Sequence, residues 1–404
     1  MSNYPGNPTW WTAFPLLSDA VKPKASDLNV PLQSLGDRTA YLKSRADALE
    51  ALAGRQVALN FRRVVVSGVG QKGGAVYNRA LRAWVVVGRN ALVKAATDGV
   101  DRWSASSIVS VGVAGEHCLS ADCDVAGNMV VTTQTRYLYQ LATSPGSPWS
   151  AWTKVDVWGG VPPGEVPAKV VYDPVHGRWV WFAAPEAGAH KFKYSTNRTT
   201  WTAATTPPVG VLWDQDYASF VLGCHRATGR VVAMAQRSVG AGDSILVATS
   251  DDGGVTWTNQ IEFEALTHTF GDKFNTGLTC DESTGAWTFV QSVTYSSGAR
   301  KSRVYRSTNG GVSWVLKSTL SAASLTSIAQ IGDLLVGVAS IVGNDDEVVW
   351  STDQGATWHL AGINTSWGDP SVGVFAGGGG LVIPNNDSVY VSQRVGTPDL
   401  GVLA

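Results

Sequence analysis

The sequence predicts an all-β fold, a ring of seven repeated four-stranded sheets preceded by an extended arm and an α-helix. Three observations predict it. An eight-residue stretch, Ser250-Asp251-Asp252-Gly253-Gly254-Val255-Thr256-Trp257, recurs as Ser307-Thr308-Asn309-Gly310-Gly311-Val312-Ser313-Trp314 and as Ser351-Thr352-Asp353-Gln354-Gly355-Ala356-Thr357-Trp358. A second motif, clearest in Tyr172-Asp173-Pro174-Val175-His176-Gly177-Arg178-Trp179-Val180, recurs ahead of each. Gly (44) and Trp (17) are both abundant, as frequent turns with buried aromatics require. Repeats of this kind are stacked β units, and a closed ring of them is a β-propeller.

Each residue type in the first motif has a mechanical reason to be there. The apolar run Ile245-Leu246-Val247-Ala248 reads as a strand that ends at the turn. The Ser hydroxyl and Asp carboxylate accept backbone N–H groups that the turn leaves unpaired. Gly254 takes a positive φ without a Cβ clash. Trp257 opens the next strand and brings a large ring to bury, so Trp257, Trp314 and Trp358 are expected between sheets. The motif resembles the Asp-box (BNR) repeat of sialidase-like β-propellers. That resemblance implies a structural hairpin, not a catalytic site.

Weaker copies complete the count. Ala96–Trp103 keeps Asp and Trp but misplaces Gly, Thr143–Trp149 has Ser for Asp, and Ser195–Trp201 is one residue short. Val389-Tyr390-Val391-Ser392 has the strand and the Ser but no following Trp. The second motif recurs from Cys224 and Cys280, and more loosely from Tyr77, Cys123, Ile328 and Phe375. Two sets of seven markers, roughly 45–57 residues apart, predict seven blades. The last marker lacks a fourth strand, and Phe61-Arg62-Arg63-Val64-Val65-Val66 precedes the first blade unpaired. Residues 61–66 are therefore expected to complete the seventh blade and remove its open edge. The domains are 1–60, arm and helix, and 61–404, the propeller.

Residues 1–24 carry four prolines and the cluster Trp10, Trp11 and Phe14. They read as an extended arm that needs a second surface, either a partner or the protein's own body. From Ala25 to Ala53 the period becomes helical. Leu28, Leu35, Leu42 and Leu49 form a narrow seam with Leu32, Thr39, Ala46 and Ala53, typical of associating helices. Pro31 falls in or near the first turn, and Gly54 can end the helix. The run Leu28-Asn29-Val30-Pro31-Leu32-Gln33-Ser34-Leu35-Gly36-Asp37-Arg38-Thr39-Ala40-Tyr41-Leu42-Lys43 resembles a segment near the N-terminus of bacteriophage tail proteins of the tail-fibre or receptor-binding type. The resemblance implies a virion protein made in the host bacterial cytoplasm, whose N-terminus docks on other tail proteins. Trp10, Trp11, Phe14, Leu35, Leu42 and Leu49 are the expected docking residues. A homo-oligomer is expected too, three copies by analogy with tail fibres.

Charge and composition narrow the function. With 31 basic against 32 acidic residues, there is no electrostatic case for nucleic acid or an anionic membrane surface. No apolar run approaches membrane-spanning length, and the first residues lack a signal-peptide pattern. Cys123, Cys224 and Cys280 occupy a repeat position held elsewhere by Tyr77, Tyr172 and Phe375, so they read as buried fillers. His117, Cys118 and Cys123 fit no zinc spacing, so neither metal nor cofactor is expected.

Chemistry is expected on the face opposite the Asp-boxes. There the loops between blades carry Trp158, Trp213, Asp214, Asp216, Asp272, Lys273, Trp367 and Asp369. Indole rings beside carboxylates can hold a sugar by stacking and hydrogen bonding; the same rings can instead pack between blades. The second-to-third strand loops add Arg136, Arg237, Asp243, Tyr295, Arg300, Asp345 and Asp346, ordinary solvated residues by position. Asp252, Asn309, Asp353, Asp173 and Asp281 lie on the box face and read as structural. The sialidase-like Phe/Tyr-Arg-Ile-Pro motif is absent; Phe61-Arg62-Arg63-Val64 lacks the Pro. Asp214 and Asp216 are the pair an acid–base glycosidase would use. The reading is therefore a non-enzymatic tail component whose propeller binds a host receptor, a bacterial surface glycan or protein, or is structural. The alternative is a glycoside hydrolase acting on host surface glycans.

Overall fold

The second strand of each repeat is its most apolar segment, and burying it on both sides dictates the architecture. In Ala83–Gly88 every residue is buried. Val85 and Val87 point into one apolar cluster, while Trp84 and Val86 point into another. In Arg178–Ala183, Trp179, Trp181 and Ala183 enter one cluster and Val180 and Phe182 the next. Successive side chains of a strand face opposite ways, so such a strand needs a sheet packed on each face.

A computed structural model describes residues 61–65, 72–88, 92–95, 109–110, 117–133, 135, 137–141, 152–158, 168–183, 191–205, 220–239, 242–264, 273–341, 346–365, 373–377, 380–384 and 388–392. The chain divides into two units, Met1–Ala53 and Gly54–Ala404. The expected arm, helix and docking residues of 1–60 lie outside the described residues, as do the weak boxes at 96–103 and 143–149.

Among the described residues the strands form seven four-stranded sheets. Sheet 1 is Lys72–Asn78, Ala83–Gly88, Leu92–Ala95 and Val109–Ser110; sheet 2 is Cys118–Cys123, Met129–Thr133, Tyr137–Leu141 and Thr153–Asp156. Sheet 3 is Ala168–Asp173, Arg178–Ala183, Lys191–Ser195 and Thr202–Ala203; sheet 4 is Phe220–His225, Arg230–Val239, Gly242–Ser250 and Thr258–Glu264. Sheet 5 is Lys273–Cys280, Trp287–Thr294, Arg300–Ser307 and Val315–Leu320; sheet 6 is Ala323–Ile331, Leu334–Ile341, Asp346–Ser351 and His359–Thr365. Sheet 7 is Phe375–Gly377, Gly380–Pro384 and Ser388–Ser392, completed by the N-terminal strand Phe61–Val65. Phe61 pairs antiparallel with Ser392 and Val65 with Ser388, as the unpaired segment required; Val66 is outside the described residues. All other pairs are antiparallel neighbours in chain order.

The first strands touch in succession, from sheet 1 through sheet 7 and back to sheet 1. Each boundary has its own apolar cluster, including Trp84 and Val86 of sheet 1 with Val382, Val389 and Val391 of sheet 7. This is an all-β propeller. The first-to-second turns in sheets 6 and 7 are shorter than the motif predicts, Gly332-Asp333 in sheet 6 lying between Ile331 and Leu334.

The box tryptophans differ in depth. Trp257 is buried, with its ring centroid 4.6 Å from that of Phe192 in sheet 3. Trp314 and Trp358 are only half-buried, which corrects the expectation for those two. Trp257 is walled by Phe182 and Phe192 of the preceding sheet, whereas Trp314 meets Phe289 of its own sheet edge-on at 6.2 Å. Trp257→Ala should therefore cost about 3–5 kcal/mol of stability, and Trp314→Ala or Trp358→Ala about half that, read from chemical denaturation. A Trp257 variant that unfolds like the parent would show the ring carries no core packing.

Closure by the N-terminal strand has its own test. A fragment of residues 61–404 should melt cooperatively near the full chain, and one of residues 67–404 should lose cooperativity because sheet 7 keeps an open edge. Equal melting of the two fragments would remove the closing role of Phe61–Val65.

Candidate functional site

The box hairpins settle first what their carboxylates do. Ser250 Oγ accepts from Gly254 N at 2.9 Å and donates to Asp252 Oδ1 at 2.8 Å. Asp252 Oδ1 also accepts from Thr256 N (2.9 Å) and Val255 N (3.1 Å), and Oδ2 from Thr256 Oγ1 (2.5 Å). Trp257 Nε1 donates to Gly254 O at 3.0 Å. Ser307–Trp314 and Ser351–Trp358 repeat the pattern around Asn309 and Asp353. In the short copy Ser195 Oγ accepts from Arg198 N at 2.8 Å, and Arg198 takes the positive φ, 68°. Asp173 accepts from Val175 N and bonds His176 Nδ1 at 2.6 Å, and Asp281 accepts from Ser283 and Thr284. These oxygens are occupied by the turns' own donors, so they cap turns and do not present a nucleophile or a general acid.

The described cavity lies on the propeller axis, at the box-face ends of the first strands, and holds about 470 Å³. Such a volume suits a small molecule. Leu278, Ile328, Ile331, Val374 and Phe375 give apolar walls, and Arg79, Arg226 and Glu282 bring charge. Arg226 Nη2 reaches Asp122 Oδ1 of sheet 2 at 2.5 Å, with side-chain exposures of 27% and 7%. Asp122 Oδ2 accepts from Tyr172 N of sheet 3 at 2.7 Å, and Arg226 N donates to Glu282 Oε2 of sheet 5 at 3.0 Å. Four consecutive sheets are thereby joined by one polar chain around a largely buried ion pair. The Asp122 charge raises the Arg226 pKa, outweighing the opposing effect of burial. Breaking such a pair strands its partner in a poorly solvated site.

The cysteines stand where the repeat places them, at or next to the ends of the first strands of sheets 2, 4 and 5. Cys118 and Cys123 are buried, Cys224 and Cys280 half-buried, and none of the four forms a disulfide. Burial pushes the Cys123 thiol up to about 12, with the Asp122 charge adding to it, and burial raises Cys224 and Cys280 as well. Thiols held neutral in this way are packing residues. Among the described residues no group of three or more His, Cys, Asp or Glu side chains converges to hold a metal ion.

Of the expected ligand residues, Trp158 is placed completely. It is buried, edge-on to Trp181 at 6.4 Å, with Lys191 Nζ 3.7 Å from its ring centroid. It packs between sheets 2 and 3, which is the second of the two roles the sequence left open. Lys273 starts the first strand of sheet 5. Trp213, Asp214, Asp216, Asp272, Trp367 and Asp369 lie outside the described residues. Arg300, read as a solvated loop residue, is half-buried and its Nη1 donates to Ile341 O of sheet 6. The Asp122–Arg226–Glu282 constellation was missed. Its signal was available, because Arg226 and Glu282 hold the turn position that Pro174 holds in the clearest copy.

Residues 349–360 match the BNR/Asp-box repeat model. No curated protein matches the chain. Among solved structures, a Hadza microbial sialidase is similar at 13% identity over 67% of this chain and 67% of that one, with a TM-score of 0.41. A lectin of Aleuria aurantia in complex with Fucα1-6GlcNAc is similar at 15% identity over 70% and 97%, TM-score 0.43. The Swd1 β-propeller domain of Myceliophteria thermophila is similar at 12% identity over 82% and 99%, TM-score 0.49.

The capping carboxylates set an acid limit on stability. Burial opposes the charge on Asp252, Asp281 and Asp353, but hydrogen bonds to each outweigh it and hold the carboxyls below the usual range. A folded pKa below the unfolded value contributes stability that is complete above about pH 4 and lost as pH falls through the folded pKa. The melting temperature should be level from neutral pH to about pH 5 and fall below about pH 4. The fall should be shallower in a chain carrying Asp252→Asn and Asp353→Asn. An equal fall in that chain would mean these carboxylates are not the groups being titrated.

Proposed function

We propose that the chain is a bacteriophage tail component whose residues 1–60 dock on the particle and whose propeller is a receptor-binding or structural module. The observation that carries this reading is the segment Leu28–Lys43, with Asp37-Arg38-Thr39-Ala40-Tyr41-Leu42-Lys43 at its centre. Two further points support it. Residues 1–60 differ from the repeats in period and composition, and the aromatic cluster Trp10, Trp11 and Phe14 has few residues of its own to cover it. The box carboxylates are occupied in turn capping, which leaves the opposite face for recognition. The leucine seam of the helix suits other copies of the chain, three by analogy with tail fibres, or a neighbouring tail protein.

The test is made in the phage that encodes the chain. Purified particles should contain the protein, and particles made with only residues 61–404 of it should not. Absence of the full chain from particles, or incorporation of the 61–404 form, would overturn the docking role. Polysaccharide hydrolysis lost on replacing Asp214 or Asp216 would instead favour the glycosidase alternative.

A further inference from the structure

The boundary between sheets 2 and 3 holds two lysines with no acidic partner in bonding range among the described residues. Lys191 and Lys193 project from one face of the third strand of sheet 3, while Phe192 between them enters the cluster with sheet 4. Lys191 Nζ donates to Trp158 O at 3.4 Å and lies over the Trp158 ring; Lys193 Nζ donates to Val157 O. Two ammonium groups are thus gathered on the carbonyls of consecutive residues. None of the described salt bridges involves either. Asp156 acts on Lys193 only through its field, and exposed as it is, offsets little of the pair's charge.

Holding like charges together in a partly desolvated crevice is unfavourable unless an anion joins them. Burial lowers the pKa of both lysines, and the Lys191 charge lowers that of Lys193 further. The place in the fold is suggestive as well. Lys191 begins its strand after the second-to-third loop, and Trp158 precedes the loop from sheet 2 to sheet 3, so both lie at the face opposite the boxes. Trp158 is too buried to stack on a ligand; it acts as a positioning residue, fixing the Lys191 ammonium by its π face.

We propose that this crevice binds an oxyanion carried on a polysaccharide, shared between Lys191 and Lys193. The proposal rests on the receptor-binding reading and names the chemistry of the receptor as an acidic surface glycan. Lysines suit this task as point charges that accept an oxyanion from several directions, without the fixed fork of an arginine.

The full chain is titrated with polygalacturonate, a carboxylate polymer, with polyglycerol phosphate, a phosphate polymer, and with neutral dextran. Binding to at least one acidic polymer and not to dextran is expected, and the stronger of the two identifies the anion. It should weaken about tenfold when salt is raised from roughly 50 to 300 mM. Lys191→Gln with Lys193→Gln should weaken it at least tenfold. The Lys193→Gln variant, which keeps the Trp158 contact, should give a smaller loss in the same direction if the double variant fails to fold. Lys169→Gln should leave binding unchanged, since Lys169 pairs with Phe182 and lies on the opposite face of sheet 3. No preference for the acidic polymers over dextran, or equal loss with Lys169→Gln, would overturn the proposal. A chain present in particles that binds neither acidic polymer refutes the crevice and leaves the tail reading standing. A chain that binds them but is absent from particles does the reverse.

Discussion

The contact on which this architecture depends is the seating of each box hairpin against the preceding sheet. Gly254 sits so close to Val180 of sheet 3 that a Cβ there would come within 2.9 Å of its Cγ1. Gly311 stands in the same relation to Val232 of sheet 4 at 3.2 Å, and Gly355 to Val304 of sheet 5 at 2.9 Å. Arg178 Nη1 donates to Asp252 O and Arg230 Nε to Gly310 O, so the preceding sheet also binds the hairpin backbone. The Ser and Asp side chains hold the turn in shape, glycine brings it close, and a tryptophan fills the space behind it. Apolar packing serves the same end in the Trp84 cluster that joins sheets 7 and 1.

A latch repeated on one face assigns work to the two faces. On the box face the polar groups are used internally, from Asn78 Nδ2 bonding Gly127 O at 2.8 Å to the Asp122–Arg226 pair and its link to Glu282. The thiols of Cys123, Cys224 and Cys280 lie at or next to the same strand ends and are kept neutral by burial. On the other face, Lys191 and Lys193 are held, among the described residues, by two carbonyls and an indole ring.

The repeat was legible because its residues act locally. Ser250, Asp252, Gly254 and Trp257 interact mainly within eight residues, so their order in the chain reports their geometry. The closing strand was legible for a different reason: a last marker without a fourth strand and a strand without a sheet complete each other, and Phe61 does pair with Ser392. The depths of Trp314 and Trp358 were not legible, because burial of a box ring is set by the sheet beside it. Arg226 and Asp122 are 104 residues apart and meet only because the ring brings sheets 2 and 4 to one axis. Trp158 could be read as a sugar platform or as packing from sequence, and Lys191, more than thirty residues away, is what occupies its face.

Amide hydrogen exchange on the full chain tests the latch most directly. The amides of Gly254, Gly311 and Gly355 each donate to a serine hydroxyl at 2.9 Å inside a hairpin seated on its neighbour. They are predicted to exchange as slowly as the second strands, and Arg178→Ala, which removes a bond to the Gly254 hairpin alone, is predicted to open a local route that speeds exchange at Gly254 more than at Gly355. Exchange at all three positions as fast as in exposed turns would contradict the account, because the hairpins would then be opening without disturbing the ring.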